Sequence, residues 1–387
     1  MTDSVLPVSG IYEPHGLRKL YYGPNVVEKH LLHVLPSSTS KAFIVTGASL
    51  AAKTPLVKRV QDLLGTAHHG GTFSQIRQHA PVEQVARAID DLCGRPDTEA
   101  VISIGGGSPI DAAKTLSKRF HAAHGRYLVH IAIPTTLSAA ECTDIGGTTM
   151  QDGVKQGVRG DELAPQYIFY DASFALHTPP ALFMSTGIRA MDHALELQYN
   201  PAAAWLPVKA IALQAIATLY RLLPRYRDDP TDEHVILGLF LAAYGSLGFF
   251  GKQMRGSLGL SHTIGYALGS PYGIPHGITS CLTLGHVVAL KAELDPADAA
   301  CVAGTLPCFG KARSGDDVAD SRVVGAVILQ LVRDLGLYTT LTEHGVPGDQ
   351  LDVICDRALG SWMPGEERDL QDAALRAAVR RLVACLF

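Results

Sequence analysis

The sequence predicts an α/β nucleotide-binding domain followed by an all-α domain, joined near residue 180. Three observations carry this expectation. Short β-rich runs alternate with amphipathic stretches through the first half, one of those runs ends in a glycine-rich turn, and beyond residue 180 the pattern becomes helical. Strands alternating with helices point to βαβ units and a parallel sheet, whose ligands sit beyond the C-terminal ends of the strands. The expected organisation is a dinucleotide-binding domain over 1–180 and a helical substrate and catalytic domain over 181–387, with the cleft between them as the site.

Each element follows from its residues. Lys19–Tyr22 reads as a strand before the turn Gly23-Pro24, and Val26–Val34 has helical spacing. Ala42–Thr46 is a β-rich run stopped by Gly47, and Thr54–Leu64 carries Leu56, Val57, Val60, Leu63 and Leu64 on one helical stripe. Val82–Leu92 repeats that pattern. Ala100–Ile104 is the next strand, followed by a helix from Pro109 to about Lys118, and Leu128–Ile133 is another strand. Helical spacing then runs over Pro180–Asn200, Trp205–Leu223, Thr231–Gly251, Leu258–Gly269 and Ile278–Ala292. Residues 37–40 and 310–320 read as loops.

Composition narrows the function classes. At roughly 150 residues per domain, 387 residues predict two domains. With 47% apolar and 18% charged residues, neither a disordered nor a fibrous chain fits. A net charge of −4 leaves no basic footprint for nucleic acid or an acidic membrane. No uninterrupted apolar run approaches the ~20 residues that span a bilayer. The first residues lack the basic and apolar regions of a signal peptide, so a soluble cytoplasmic protein is expected. The seven cysteines are odd in number and none forms C-x-x-C, which predicts reduced thiols.

Two motifs fall at predicted strand ends. In Gly105-Gly106-Gly107-Ser108-Pro109-Ile110-Asp111-Ala112-Ala113-Lys114, three glycines allow close backbone approach and a helix N-terminus offers unpaired N–H groups to an anion. This is neither a strict G-x-G-x-x-G nor a Walker A loop, so alone it indicates an anion without saying which. The second is Pro134-Thr135-Thr136-Leu137-Ser138-Ala139-Ala140-Glu141-Cys142-Thr143, whose small side chains admit a flat ring. The hydroxyls of Thr135, Thr136, Ser138 and Thr143 suit phosphate or amide. In the helical half, Arg189 and His193 share a helix face, and His262 and His276 follow downstream among glycines and apolar residues. Three histidines there suggest a metal or catalytic cluster.

Together, GGGSPIDAAK, IPTT with the following E-C-T, the mid-helix DHALE and the H-x13-H pair resemble the iron-containing (group III) alcohol dehydrogenase family across about residues 15 to 385. The resemblance implies the fold shared with dehydroquinate synthase, an NAD(P) cofactor and a homodimer. Family dehydrogenases bind iron or zinc through an aspartate, a histidine four residues later and the H-x13-H pair. Aligning on His193, His262 and His276 places Arg189 at the aspartate position. Asp192 is no ready substitute, because adjacent helical residues point about 100° apart. A guanidinium repels a divalent cation, so no metal is expected.

The closest resemblance is to the metal-independent maleylacetate reductase branch, which implies a role in aromatic-compound catabolism. The short loop Leu137-Ser138-Ala139-Ala140-Glu141 matches that branch, whereas Ser261 and Tyr266 stand where it usually has histidines. Strict NAD users in the family carry an aspartate after the strand matching Phe43–Thr46. Here that position is Gly47, followed by Ala48-Ser49, so NADPH is tolerated as well as NADH, with Ser49 and Lys53 near its 2′-phosphate. Lys155 matches a lysine the family places near the cofactor. The expected catalytic set is Arg189, His193, His262, Tyr266 and His276, with Arg189 in the metal's place, the three histidines as hydrogen-bond donors and proton sources, and Tyr266 as the alternative proton donor. A salt bridge from Arg189 to Asp192 or Glu141 is the plainer expectation. The competing functions are a metal-dependent alcohol or aldehyde dehydrogenase and a non-redox enzyme on the same scaffold.

Overall fold

Apolar side chains alternate along the first-half strands so that both faces of one sheet are covered. The computed structural model describes residues 11–254, 258–360 and 373–387. Its strands are β1 (Lys19–Tyr22), β2 (Lys41–Thr46), β3 (His69–Phe73), β4 (Thr98–Gly105), β5 (Val129–Pro134), β6 (Ile145–Thr149), β7 (Lys155–Arg159) and β8 (Tyr167–Tyr170). Six of them form a sheet in the order β1-β8-β5-β4-β2-β3 with every neighbour parallel, and β6 pairs antiparallel with β7. Between the strands lie α1 (Val26–His30), α2 (Ala48–Lys53), α3 (Leu56–His68), α4 (Val82–Cys93) and α5 (Gly107–His124). Ile44, Ile102, Ile104 and Ile131 meet Val57, Val60 and Leu64 of α3 on one face. Phe43, Val45 and Val101 meet Val85 and Ala88 of α4 and Ala112 and Leu116 of α5 on the other. A strand buried on both faces reads as a continuous apolar run, which is why AFIVT and AVISI were recognisable.

The sheet order also fixes where a ligand can sit. β2 leads outward to β3, whereas β4 leads the opposite way to β5, so a crevice opens where β2 and β4 end, at Gly47 and Gly105.

The remaining helices are α6 (Ala172–Ala175), α7 (Pro180–Tyr199), α8 (Ala210–Asp228), α9 (Glu233–Leu247), α10 (Leu260–Tyr272), α11 (His276–Leu294), α12 (Pro296–Ala303), α13 (Asp317–Asp334), α14 (Leu351–Leu359) and α15 (Ala373–Ala384). α7 is buried from Phe183 to Gln198 because it runs through the centre of this half. Its Ile188, Met191 and Leu195 share a core with Leu219 of α8, Leu239 of α9, Leu284 of α11 and Ile328 of α13. Gly285 and Gly325 let α11 and α13 touch, since a Cβ on Gly325 would lie 2.5 Å from the Gly285 carbonyl oxygen.

Several details differ from the sequence expectation. Strands β3, β6, β7 and β8 are additional, and β8 lies inside the sheet between β1 and β5. Residues 317–320 belong to α13, where Asp320 accepts from Ser314 and Arg313. Trp205–Asp228 is long and apolar enough to cross a bilayer, with an 18-residue window of mean hydropathy 1.3. Its Ala212, Ile216, Leu219 and Leu223 are instead buried in the core of the helical half.

Candidate active site

One cleft of about 590 Å3 opens at the crevice and reaches α7, α10 and α11. Every residue expected from sequence to bind cofactor lines it: Gly47, Ser49, Gly105, Gly106, Gly107, Ser108, Thr135, Thr136, Ser138, Thr143 and Lys155. Arg189, His193, His262, Tyr266 and His276 line it too.

On the sheet side, Gly105 has φ +137°, which a side chain would oppose. A Cβ on Gly106 would fall 3.0 Å from Thr136 Oγ1, so the two strand-end loops touch only because that position is bare. The N–H groups opening α5 have no side-chain cap, and a helix N-terminus of this kind attracts anions. Thr178 Oγ1 donates to the Thr135 carbonyl at 2.8 Å, and the Leu137 N–H donates to Thr186 Oγ1 at 3.0 Å. Lys114 of the glycine motif is fully buried and donates to the carbonyls of Ala140 (2.5 Å) and Ile145 (2.6 Å), so it braces the second loop. Glu141 accepts from Tyr170 at 2.7 Å and is not the partner of Arg189.

On the helical side, α7 presents Arg189, Asp192, His193 and Glu196. The expected salt bridge of Arg189 is to Asp192, at 3.8 Å. Arg189 Nη1 also donates to Ser280 Oγ at 3.2 Å, and its guanidinium lies 5.8 Å from the Tyr266 ring centre. Asp192 is fully buried and its Oδ2 accepts from Ser261 (2.8 Å) and Ser280 (2.6 Å), tying three helices together. Glu196 accepts from the Ser261 N–H at 2.7 Å and from Tyr199 at 3.2 Å, and its Oε2 lies 2.5 Å from His262 Nδ1. His262 Nε2 is left without a hydrogen-bond partner, as are Nδ1 of His193 and Nδ1 of His276. Lys155 Nζ reaches His276 Nε2 at 3.3 Å and Asp111 at 3.7 Å.

Burial dominates the protonation states. It lowers His262 to about 3 and, with Lys155 adding to it, lowers His79 to about 4 against the pull of the Ile274 carbonyl. His193 and His276 are pushed well below the usual imidazole value. Burial raises Glu196 to about 7 and Tyr266 to about 12. A histidine neutral when folded takes up a proton only on unfolding below about pH 6.5. Its stabilising share is therefore complete above that pH and is lost as pH falls towards the folded value. Glu141, Asp192 and Glu196, raised by burial, act oppositely but are outnumbered once buried His130 (about 3) is added. Tm should climb steeply from pH 5 to 6.5 at constant ionic strength. A flat or falling profile would contradict these assignments.

The donor set on this wall is poorly suited to a divalent cation. Among the described residues, the one such group with ligand atoms within 4.8 Å of one another is Asp192, Glu196 and His262. Both carboxylates are already engaged by protein donors, a guanidinium stands 3.8 Å from Asp192, and His193 and His276 lie outside the group. That arrangement does not fit a cation held through an aspartate and three histidines.

A family model for iron-containing alcohol dehydrogenase matches residues 18–172, and one for the C-terminal part of the Fe-containing alcohol dehydrogenase family matches 183–377. The chain belongs to the iron-containing alcohol dehydrogenase family. It is thereby an oxidoreductase. Maleylacetate reductase of Rhizobium sp. strain MTP-10005 is 29% identical over 323 residues, 80% of this chain and 81% of that one. Maleylacetate reductase of Sphingobium indicum is 30% identical over 302 residues, 76% of each chain. The crystal structure of maleylacetate reductase from Agrobacterium tumefaciens shares the fold, with a TM-score of 0.78 at 24% identity over 98% of both chains.

Sequence reasoning gave no role to Glu196, Ser261, Ser280 or His79, and gave Asp192 only the salt bridge to Arg189. Glu196 lies in the DHALE motif, one helical turn from Asp192, so its face was readable. His79 and the two serines carry no local signal, since their placement depends on long-range packing.

Proposed function

We propose that this oxidoreductase is a cytoplasmic, homodimeric NAD(P)H-dependent reductase of carboxylated keto or unsaturated acids of the maleylacetate type, and that it works without a metal. The observation that supports this most is Arg189, buried on the cleft wall where family dehydrogenases place an anionic metal ligand. The nicotinamide cofactor supplies the hydride. The glycine turn and the hydroxyl loop hold its phosphates, and no carboxylate at Gly47 opposes a 2′-phosphate beside Ser49 and Lys53. Arg189, fixed by Ser280 and Asp192, offers its fork to a substrate carboxylate or enolate oxygen and stabilises the charge that develops there. A relay through His262 is the better proton source: Glu196, raised to about 7, lies 2.5 Å from Nδ1 and gives its proton there as the unpartnered Nε2–H gives one to the substrate. Tyr266, raised to about 12, releases a proton poorly.

The test is oxidation of NADH and of NADPH by the purified protein with maleylacetate, with and without a strong chelator. Turnover that survives chelation is expected. The grouping of Asp192, Glu196 and His262 favours a second reading, a metal-dependent alcohol or aldehyde dehydrogenase. Turnover appearing only after iron or zinc is added would select it.

A further inference from the structure

The cleft carries positive charge at one end that no protein group answers. Lys53, the last residue of α2, and Arg77, on the loop between β3 and α4, both line it and are both exposed. Among the described residues neither side chain has an ion-pair or hydrogen-bond partner. Asp111 is the one carboxylate among the lining residues, and it faces Lys155 at 3.7 Å. Unanswered charge of one sign in a cleft draws a ligand of the other.

The backbone places Arg77 beside the end of β2. The Ile76 N–H donates to the Thr46 carbonyl at 3.2 Å, and the Arg77 N–H donates to Oε1 of buried Gln84, on α4, at 2.7 Å. Further along the same loop, the His79 N–H donates to Ser108 Oγ at 3.0 Å, which ties it to the start of α5. A Cβ on Gly47 would lie 3.1 Å from the Ile76 carbonyl oxygen, so the loop packs against the bare position that follows β2. Arg77 is therefore presented next to Gly47 by a backbone held from three elements, and Lys53 follows Gly47 on α2.

The sheet order says which part of a dinucleotide meets these cations. The glycine turn ends β4, with β5 on one side and β2 on the other. A nicotinamide serving a substrate at Arg189 needs the β5 side, where the Leu137 N–H meets Thr186 of α7 at 3.0 Å. The adenosine half is left the β2 side, at Gly47 and the Arg77 loop. A 2′-phosphate sits on that half and carries about −2 charge near neutral pH, a match for two free cations. The planar guanidinium fork suits its oxygens better than an ammonium does.

We infer that Arg77 and Lys53 hold the 2′-phosphate of NADPH, and that Arg77 makes NADPH the preferred cofactor over NADH. The inference rests on the proposed reading of the cleft as a nicotinamide cofactor site and narrows it to the phosphorylated form.

Binding is measured without turnover, by calorimetry of NADPH, NADH, 2′,5′-ADP and 5′-AMP, and maleylacetate kinetics are followed alongside. The wild type should bind NADPH at least about 10-fold tighter than NADH, and 2′,5′-ADP tighter than 5′-AMP by a similar factor. Arg77→Ala should weaken NADPH by about 10- to 100-fold and leave NADH within about twofold. Arg77→Lys should recover part of that loss, because it keeps the charge without the fork. Lys53→Ala should cost less than Arg77→Ala. Equal affinity of the wild type for NADPH and NADH overturns the inference, as does an Arg77→Ala protein that keeps the preference. A variant that weakens both cofactors alike would make Arg77 a prop of the loop and overturn it too. Wild type that binds neither nucleotide overturns the cofactor reading and the inference with it. Wild type that prefers NADPH but leaves maleylacetate unreduced overturns the maleylacetate reading and leaves Arg77 in place.

Discussion

Replacing Arg189 by alanine should lower kcat/KM for the acid substrate by roughly 100- to 1000-fold, about 2.7–4 kcal/mol at the transition state. The guanidinium is already oriented before substrate arrives, by Ser280 at 3.2 Å and Asp192 at 3.8 Å, so little reorganisation is needed as charge develops. Lys155, the other cleft cation on the Tyr266 ring, is engaged with Asp111 and His276 and cannot take over. Arg189→Lys should recover only part of the loss, because an ammonium is a point charge without the planar fork. The KM for NAD(P)H should hold, since the contacts of Arg189 are with Ser280, Asp192 and Tyr266 and not with the glycine turn. Kinetics well below each variant's Tm separate this effect from stability. An Arg189→Ala enzyme with full turnover would remove Arg189 from the mechanism.

Much of the fold was readable because burial on both faces makes strands apolar without interruption, as in AFIVT and AVISI. The strands that escaped notice lack that property. His69–Phe73 is an edge strand, HGGTF, with one large apolar residue, and the β6–β7 hairpin is polar and glycine-rich. Tyr167–Tyr170 is only four residues long, yet it bridges β1 and β5 through register that no local pattern encodes.

In the cleft, the residues on motif lines were legible and their partners were not. Arg189, His193, His262 and His276 could be placed by spacing. Asp192 was set aside as a metal ligand because it points away from His193, and that same direction lets it meet Arg189 one turn earlier. Its hydroxyl partners lie 69 and 88 residues away in sequence, on α10 and α11. His79 comes from the other half of the chain, and only the closed cleft brings it to His276.

Asp192→Ala should destabilise the protein by about 3–5 kcal/mol, the usual cost of removing one partner of a buried charge pair. Asp192 is fully buried, and without it Arg189 keeps, among the described residues, Ser280 as its remaining hydrogen-bond partner while the hydroxyls of Ser261 and Ser280 lose their acceptor. Asp192→Asn keeps an acceptor for those hydroxyls but not the charge, so it should fall between alanine and wild type. The pair also predicts non-additivity. Arg189→Leu with Asp192→Leu leaves no unpaired charge, and its cost should be well below the sum of the two single leucine variants. Urea denaturation of the four proteins closes the cycle. Additive costs, or an Asp192→Ala protein within about 0.5 kcal/mol of wild type, would mean that the cleft holds Arg189 without a counter-ion. The guanidinium would then be a free cation awaiting its substrate rather than one held in place by α7.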